Sequence, residues 1–125
     1  MNKKFSKSWK SSKKQRKQRK YRINAPLNIK RKFLSAHLSK ELRKKYSTRN
    51  VTLRKGDKVK IMRGQFKKKT GTIAKILMKR SKVCMENIQL TKNDGTKVYY
   101  PLEPSNLMII ELNLTDKRRI IGKNE

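Results

Sequence analysis

The chain contains too few acidic residues to balance its basic residues. Its 125 residues include 37 lysines and arginines against eight aspartates and glutamates, which gives a formal net charge of +29. Self-repulsion on this scale disfavours a compact state unless a polyanion neutralises the charge. The composition therefore predicts a polyanionic partner, which is a nucleic acid, an anionic membrane surface or an acidic protein.

Cysteine and histidine are nearly absent, with Cys84 and His37 as single examples. One cysteine forms no internal disulfide, and two nitrogen or sulfur ligands fall short of the roughly four that zinc takes. A Cys–His nucleophile pair is formally possible. However, we place His37 in a helical arm and Cys84 in a strand, as a small core residue. The sequence therefore predicts no enzyme, no metal and no other cofactor.

Long apolar runs are missing as well. Hydrophobic residues make up 34% of the chain, and the longest uninterrupted run is LMII, Leu107–Ile110. A membrane-spanning helix needs about 20 apolar residues, and no apolar stretch follows the basic N-terminal residues as in a secretory signal. We therefore expect no membrane partner, and a core that serves about half of the chain while the rest becomes ordered on a partner.

Residues 1–24 hold 11 basic residues and no acidic residue, so we predict a basic arm that is disordered alone in water. Its segment SSKKQRKQRKY has the composition to become a helix on a partner, with Ser11 or Ser12 as N-cap. Trp9 and Tyr21 are candidates for base stacking, or else for hydrophobic packing against a neighbour. Because aromatic residues interleave the charges, we favour an RNA-contacting arm over a solubilising tail or a nuclear-import signal.

Residues 25–49 show helical periodicity instead. The proline of NAPL suits a helix start, and Ile29, Phe33 and Leu34 then follow at helical spacing. In LSKELRKKY, Ser39 is the expected N-cap of a second helix. We predict two short helices, each with an apolar side and a basic side.

From residue 50 to residue 114 the apolar period changes to two. The segments VTLRKGDKVKIM, TGTIAKIL, KVCMENIQL, KVYYPL and LMIIELNL predict five or six short strands, the last of them buried on both sides. NDGT, with Gly95, predicts a hairpin with a type I′ turn. Short strands with tight turns indicate a small twisted barrel, followed over residues 115–125 by a short helical or irregular tail.

The segment between two of these strands concentrates positive charge. Gly64 and Gly71 bound it, and we expect both to provide a positive φ at a sharp bend. Phe66 packs on the barrel or stacks on a base, and we favour packing. Like charges repel in a free loop, but close to phosphates each lysine releases condensed counterions. The cations of this segment are Arg63, Lys67, Lys68 and Lys69.

These segments resemble a known family. RKGDKVKIMRGQFKKKTGTIAKI looks like a KOW motif, the strand–glycine–strand element of ribosomal and transcription-elongation proteins. KKQRKQRKYRINAP, LSKELRKKY and MIIELNL are similar to the archaeal and eukaryotic family of large-subunit ribosomal protein twenty-six, the counterpart of bacterial ribosomal protein twenty-four. The resemblance runs from about Lys13 to about Ile121, which is nearly the whole chain.

The resemblance implies a mainly β fold, in which an SH3-like KOW barrel carries a basic N-terminal arm and short helices. It also implies a structural role in the large subunit of the cytoplasmic ribosome, with binding to large-subunit ribosomal RNA, support of early assembly and a position near the exit of the nascent-peptide tunnel. Neighbouring large-subunit proteins are the other expected partners, and no homo-oligomer is expected.

One position departs from the family pattern. The family usually has Lys-Gly in the charged turn, whereas this chain has Lys67-Lys68. If the glycine supports a left-handed turn, Lys68 either adopts that conformation at a small cost in strain or shifts the loop.

The predicted RNA contacts are polar or cationic side chains of the arm, the helices and the strand turns. Arginine suits bidentate phosphate contact, and lysine suits diffuse neutralisation. A transcription or RNA-chaperone factor of the KOW type is the alternative, although such factors usually carry a second globular domain. The predicted contacts are Lys13, Lys14, Arg16, Lys17, Arg19, Lys20, Arg22, Asn24, Arg31, Lys32, Lys40, Arg43, Lys44, Arg49, Arg54, Arg63, Lys67, Lys68, Lys69, Lys79 and Arg80.

Overall fold

The architecture comes from a computed structural model, which describes residues 5–8 and 11–119. The helices of this part are α1 (Gln15–Asn24), α2 (Leu27–Phe33) and α3 (Lys40–Tyr46). The strands are β1 (Ser35–Leu38), β2 (Asn50–Thr52), β3 (Lys58–Ile61), β4 (Thr70–Leu77), β5 (Lys82–Met85), β6 (Gln89–Thr91), β7 (Lys97–Tyr99) and β8 (Leu107–Glu111). Short 3-10 helices span Pro104–Asn106 and Lys117–Arg119.

The helix starts follow local capping chemistry. Pro26 stands at the N-cap of α2, as predicted, because its fixed φ suits a helix entry. Ser39 caps α3, where its Oγ accepts a hydrogen bond from the backbone N–H of Leu42 at 3.4 Å. The predicted cap of α1 is wrong. That helix begins after Lys14, whose N–H donates to Ser12 Oγ at 3.3 Å before the helix starts.

The segment that joins α2 to α3 is a strand, and the prediction that His37 lies in a helical arm is wrong. In β1, Ala36 and Leu38 are buried, while Ser35 and His37 are partly exposed. This alternation lets β1 pair antiparallel with β2 and parallel with β8. Pairing with strands distant in sequence therefore overrides the helical pattern on either side.

The main sheet has six strands in the order β2-β1-β8-β3-β4-β5, and β6 and β7 form a separate two-stranded sheet. The mainly β prediction is confirmed. The sheet is not closed into a barrel, since β2 and β5 stand at its two edges, so the SH3-like closure is not confirmed. Irregular registers in the β3–β8 and β4–β5 pairs mark bulges, which bend a sheet without closing it.

The core is one cluster in which side chains from β1, β3, β4, β5 and β8 meet. β8 alternates between buried Leu107 and Ile109 and partly exposed Met108 and Ile110, so it is less enclosed than predicted. Cys84 is buried and free, as expected, and burial raises the pKa of its thiol. Side chains that are fully buried in the core include Val59, Ile61, Ile73, Val83, Met85, Ile88, Leu107 and Ile109.

The positive φ predicted for Gly71 and the type I′ turn predicted at Gly95 are both wrong. Gly64 and Gly95 do have positive φ, at 98° and 87°. Gly71 lies inside β4 without positive φ, in a tightly packed position where a Cβ would approach Met85 Cε to 3.0 Å. The turn before β7 is not type I′, since Asp94 has no positive φ. Instead Gly95 N–H donates to the Lys92 carbonyl at 3.0 Å, as in a type I turn followed by a left-handed glycine.

The three α-helices of the described part are seven to ten residues long. Within residues 5–8 and 11–119, none combines the length and the apolar content that crossing a bilayer requires.

Candidate nucleic-acid interface

The turn between β3 and β4 presents the charged segment on the surface. Its neck is closed by two backbone hydrogen bonds, from Lys68 N–H to the Ile61 carbonyl at 2.8 Å and from Ile61 N–H to the Lys69 carbonyl at 2.9 Å. The four cations of the turn, from Arg63 to Lys69, are exposed, and none is ion-paired with a carboxylate in the described part of the chain. The turn therefore holds a compact cluster of uncompensated positive charge.

Phe66 fixes this turn to the body of the protein. Its ring is partly buried against the core and lies 5.2 Å from the ring of Tyr100, centroid to centroid, in an edge-on arrangement. The ammonium of Lys69 lies 5.2 Å from the Phe66 centroid, in cation–π range. The packing interpretation of Phe66 is confirmed, because the ring is already engaged inside the protein.

Lys68 adopts the left-handed conformation, with φ at 73°. Of the two alternatives for this departure from the family pattern, the structure has the first, in which lysine takes the backbone conformation of the usual glycine. The cost is a Cβ in a region that disfavours side chains. The gain is one more ammonium group in the turn.

A second surface is the outward face of the β1–β2 pair. Ser35 lies opposite Thr52, and His37 lies opposite Asn50, so these four polar side chains share one face. Burial, followed by the positive charges of Arg43 and Arg49, lowers the pKa of His37, so its imidazole is neutral at neutral pH. This face therefore offers neutral hydrogen-bonding groups inside a cationic frame. The arginines of the frame are Arg31, Arg43, Arg49 and Arg54.

A third surface is α1, whose cations are exposed on the protein. Tyr21 fixes the helix, with its ring 4.8 Å from that of Phe5 and 6.3 Å from that of Phe33. The guanidinium of Arg22 lies 5.9 Å from the Phe33 centroid. Tyr21 thus takes the packing role rather than the stacking role, while Trp9 lies outside the described residues.

The remaining predicted contacts also lie near the surface. Lys79 and Arg80 are exposed in the turn between β4 and β5, and α2 reaches this turn through Lys30 Nζ, which donates to the Lys79 carbonyl at 3.2 Å. Arg43 is only partly exposed, because its Nε donates to the Leu38 carbonyl at 2.9 Å. The predicted contacts that are exposed on the helices and their ends are Asn24, Arg31, Lys32, Lys40, Lys44 and Arg49.

A buried ion pair beside the β1–β2 face escaped the sequence analysis. Asp57 is fully buried, and its carboxylate accepts hydrogen bonds from both terminal nitrogens of Arg119, each at 2.5 Å. It also accepts the backbone N–H of Arg54 at 2.8 Å and of Asn113 at 2.9 Å. Arg119 also donates to the backbone carbonyls of Asn113 and Thr52, each at 2.9 Å, while its buried Nε has no partner in the described structure. Nothing in the sequence distinguishes Arg119 from the many other cations.

Of the predicted RNA contacts outside α1, Arg54 alone is ion-paired within the described segments. Its Nη1 donates to Asp116 Oδ2 at 2.6 Å. The other ion pairs join Lys58 to Glu111, Lys82 to Glu103 and Arg119 to Asp57. Most of the predicted contacts in the turns and around β1–β2 therefore keep their charge available to a partner.

The fold and the surface charge together define a class of protein. This is a small, mainly β protein whose exposed side chains carry a large excess of positive charge, and within the described residues no three potential metal ligands cluster. A surface with this excess of positive charge favours contact with a polyanion.

A family model described as the eukaryotic ribosomal proteins L26 and their archaeal counterparts of the L24 type matches residues 12–123. The chain belongs to this family of ribosomal proteins, as the sequence predicted. It is therefore a structural component of the large subunit of the cytoplasmic ribosome, and it is not an enzyme.

Proposed function

We propose that this protein binds large-subunit ribosomal RNA through the β3–β4 turn, the outward face of β1–β2 and helix α1. The observation that carries the proposal is that these three surfaces are cationic and few of their charges are paired. Among the predicted contacts outside α1, and within the described residues, only Arg54 forms an ion pair, with Asp116. Phosphate oxygens are the groups that neutralise such surfaces most effectively. Neighbouring large-subunit proteins are the further partners.

We propose that recognition reads RNA shape and backbone rather than sequence. The closed neck and the packed Phe66 hold the lysines of the turn in place before RNA arrives, which lowers the entropy lost on binding. Lysines there neutralise phosphates diffusely, whereas arginines around β1–β2 are suited to bidentate phosphate contact. Contacts of this kind fix position and carry little base information.

We assign different roles to the four segments of the chain. Residues 1–24 act as the RNA-binding arm, residues 25–49 as a basic segment in which two helices flank strand β1, residues 50–114 as the SH3-like platform and residues 115–125 as a tail. With the family membership, this arrangement supports a role in early assembly of the large subunit and a location near the exit of the nascent-peptide tunnel.

The salt dependence of RNA binding tests the proposed surfaces. We expect the double variants Arg16→Gln/Arg19→Gln, on α1, and Lys67→Gln/Lys69→Gln, in the turn, each to reduce the slope of log K against log salt by about 1–2. The reason is that each contacted phosphate contributes about 0.7–0.9 to that slope. The measurement is filter binding of transcribed large-subunit ribosomal RNA from low to moderate salt.

The β6–β7 hairpin provides the matched control. Lys92 and Lys97 are exposed there and lie outside the proposed surfaces. Their double change to glutamine removes the same charge and should leave the slope within about 0.5 of the wild-type slope. Equal slope losses in all three variants would show that net charge alone drives binding, and would refute the assignment to particular surfaces.

A further inference from the structure

A cleft opens beside the edge strand β2, between α2 and the C-terminal segment. Its volume is about 230 Å³, which is large enough for a phosphodiester group with some water. Strand β2 supplies its floor, and Ser35 lies opposite Thr52 across the β1–β2 pair. Residues that line it include Arg31, Ser35, Asn50, Thr52, Arg54 and Arg119.

The three arginines of the cleft differ in what they are free to do. Arg119 has 2% of its side chain exposed and is committed to Asp57, so it contributes positive potential but no free donor edge. Arg31 is exposed and has no ion-paired carboxylate within residues 5–8 and 11–119. Arg54 is held by Asp116, with 32% and 46% of the two side chains exposed.

Asp116 lies beside the cleft and occupies Nη1 of Arg54, a donor that an external anion would otherwise use. Its carboxylate takes a hydrogen bond from Arg54 and another from the backbone N–H of Arg118 at 2.9 Å, and these bonds, with the charges of Arg54 and Arg31, lower its pKa. A carboxylate and a phosphodiester present similar oxygen acceptors to a guanidinium. Exposed ion pairs contribute little net free energy, because water already solvates both groups well. The pair is consequently easy to replace, whereas the buried Asp57–Arg119 pair is not.

We propose that this cleft binds one backbone phosphate of RNA between Arg31 and Arg54, and that Asp116 occupies Arg54 until that phosphate displaces it. The inference rests on the proposed function and adds a particular site to it. Asn50 and Thr52, on the outward face of β2, supply polar groups beside the phosphate. The Asp57–Arg119 pair holds the C-terminal segment against β2, through Arg119 on the Thr52 carbonyl, and this keeps Asp116 within reach of Arg54.

The test compares Asp116→Asn with wild type in filter binding to transcribed large-subunit ribosomal RNA at fixed moderate salt. Asparagine retains an oxygen that caps Arg118 N–H but cannot hold a guanidinium as an ion pair. We expect the affinity to rise about fivefold, because RNA no longer competes with an internal carboxylate. In the background of Arg54→Gln the same substitution should raise affinity by less than about twofold, since its effect depends on Arg54.

Glu111→Gln is the matched control. Glu111 pairs with Lys58 at 3.0 Å on the exposed surface of β8 and β3, so its substitution adds the same charge away from the cleft. We expect a gain of less than about twofold. Equal gains from Glu111→Gln and Asp116→Asn would overturn the inference, as would a gain from Asp116→Asn that survives Arg54→Gln. Those results leave the proposed function standing, whereas absent binding by the wild-type protein overturns both.

Discussion

At the scale of single residues, Lys68 carries a positive charge at a position where its backbone conformation is strained. The residue has φ at 73°, in the region where glycine is usual and where a side chain adds steric strain. Its N–H still closes the turn onto the Ile61 carbonyl, so the loop keeps its path. The strain is tolerated because the neck and Phe66 already determine the conformation.

The substitution Lys68→Gly tests this trade. We expect the free energy of unfolding to rise by about 0.5–1 kcal/mol, because relief of left-handed strain exceeds the extra entropy of glycine in the unfolded chain. RNA affinity should fall, since one ammonium group is lost. Urea denaturation and filter binding measure the two effects.

The neighbouring substitution Lys67→Gly removes the same charge at a residue without positive φ. It should not stabilise the protein, because no left-handed strain is relieved while unfolded-state entropy still increases. If both variants changed stability alike, the conformation of Lys68 would not be strained.

At the scale of elements, contacts along its whole length hold the β3–turn–β4 unit together. Its two strands pair with each other, and hydrogen bonds close its neck. Phe66 joins the turn to Tyr100, which follows β7. A turn fixed in this way presents its cations without first having to be ordered.

Phe66→Ala should therefore act mainly on stability. We expect the free energy of unfolding to fall by about 2 kcal/mol, because the substitution removes a partly buried aromatic ring that packs against the core. RNA affinity should fall only as far as the turn loosens. Phe66→Leu serves as control, and it should recover at least half of the lost stability because leucine still fills apolar space. Unchanged stability together with a large loss of RNA binding would instead indicate base stacking.

At the scale of the whole molecule, the Asp57–Arg119 pair joins the segment between β2 and β3 to the C-terminal segment. Asp57 lies between β2 and β3, and Arg119 follows β8, yet their side chains meet with 0% and 2% exposed. The same contact brings the C-terminal segment across the β1–β2 edge. The Asp57 carboxylate holds the guanidinium of Arg119 together with the backbone N–H groups of Arg54 and Asn113.

Arg119→Ala should cost about 3 kcal/mol in the free energy of unfolding. Removing one partner leaves a buried carboxylate whose remaining donors are the backbone N–H groups of Arg54 and Asn113. The adjacent Arg118→Ala removes the same charge from an exposed side chain and should change stability by less than about 0.5 kcal/mol. A similar result for both variants in urea denaturation would show that the buried pair does not stabilise the fold.

Local chemistry made several elements predictable. Ser39 and Pro26 define helix starts through capping and fixed φ, and these operate within a few residues. The alternating runs from residue 50 onward appear as strands, and Gly64 and Gly95 take the positive φ that tight turns require. The family also followed from sequence, because its motifs are contiguous.

Contacts between distant segments were not predictable in the same way. The strand at His37 exists because β2 and β8 flank it, and the tight packing around Gly71 comes from Met85 on the next strand. The role of Arg119 depends on a carboxylate far along the chain. No short-range pattern encodes these relations.

The sequence by itself determined the excess of positive charge, a formal net charge of +29, and the ribosomal family, because charge and motif are properties of the chain rather than of its folding. Only the tertiary structure decided which cations remain available and which are already engaged. Burial and distance set the strength of a charge pair, and both arise only when Asp57 meets Arg119 and Asp116 meets Arg54.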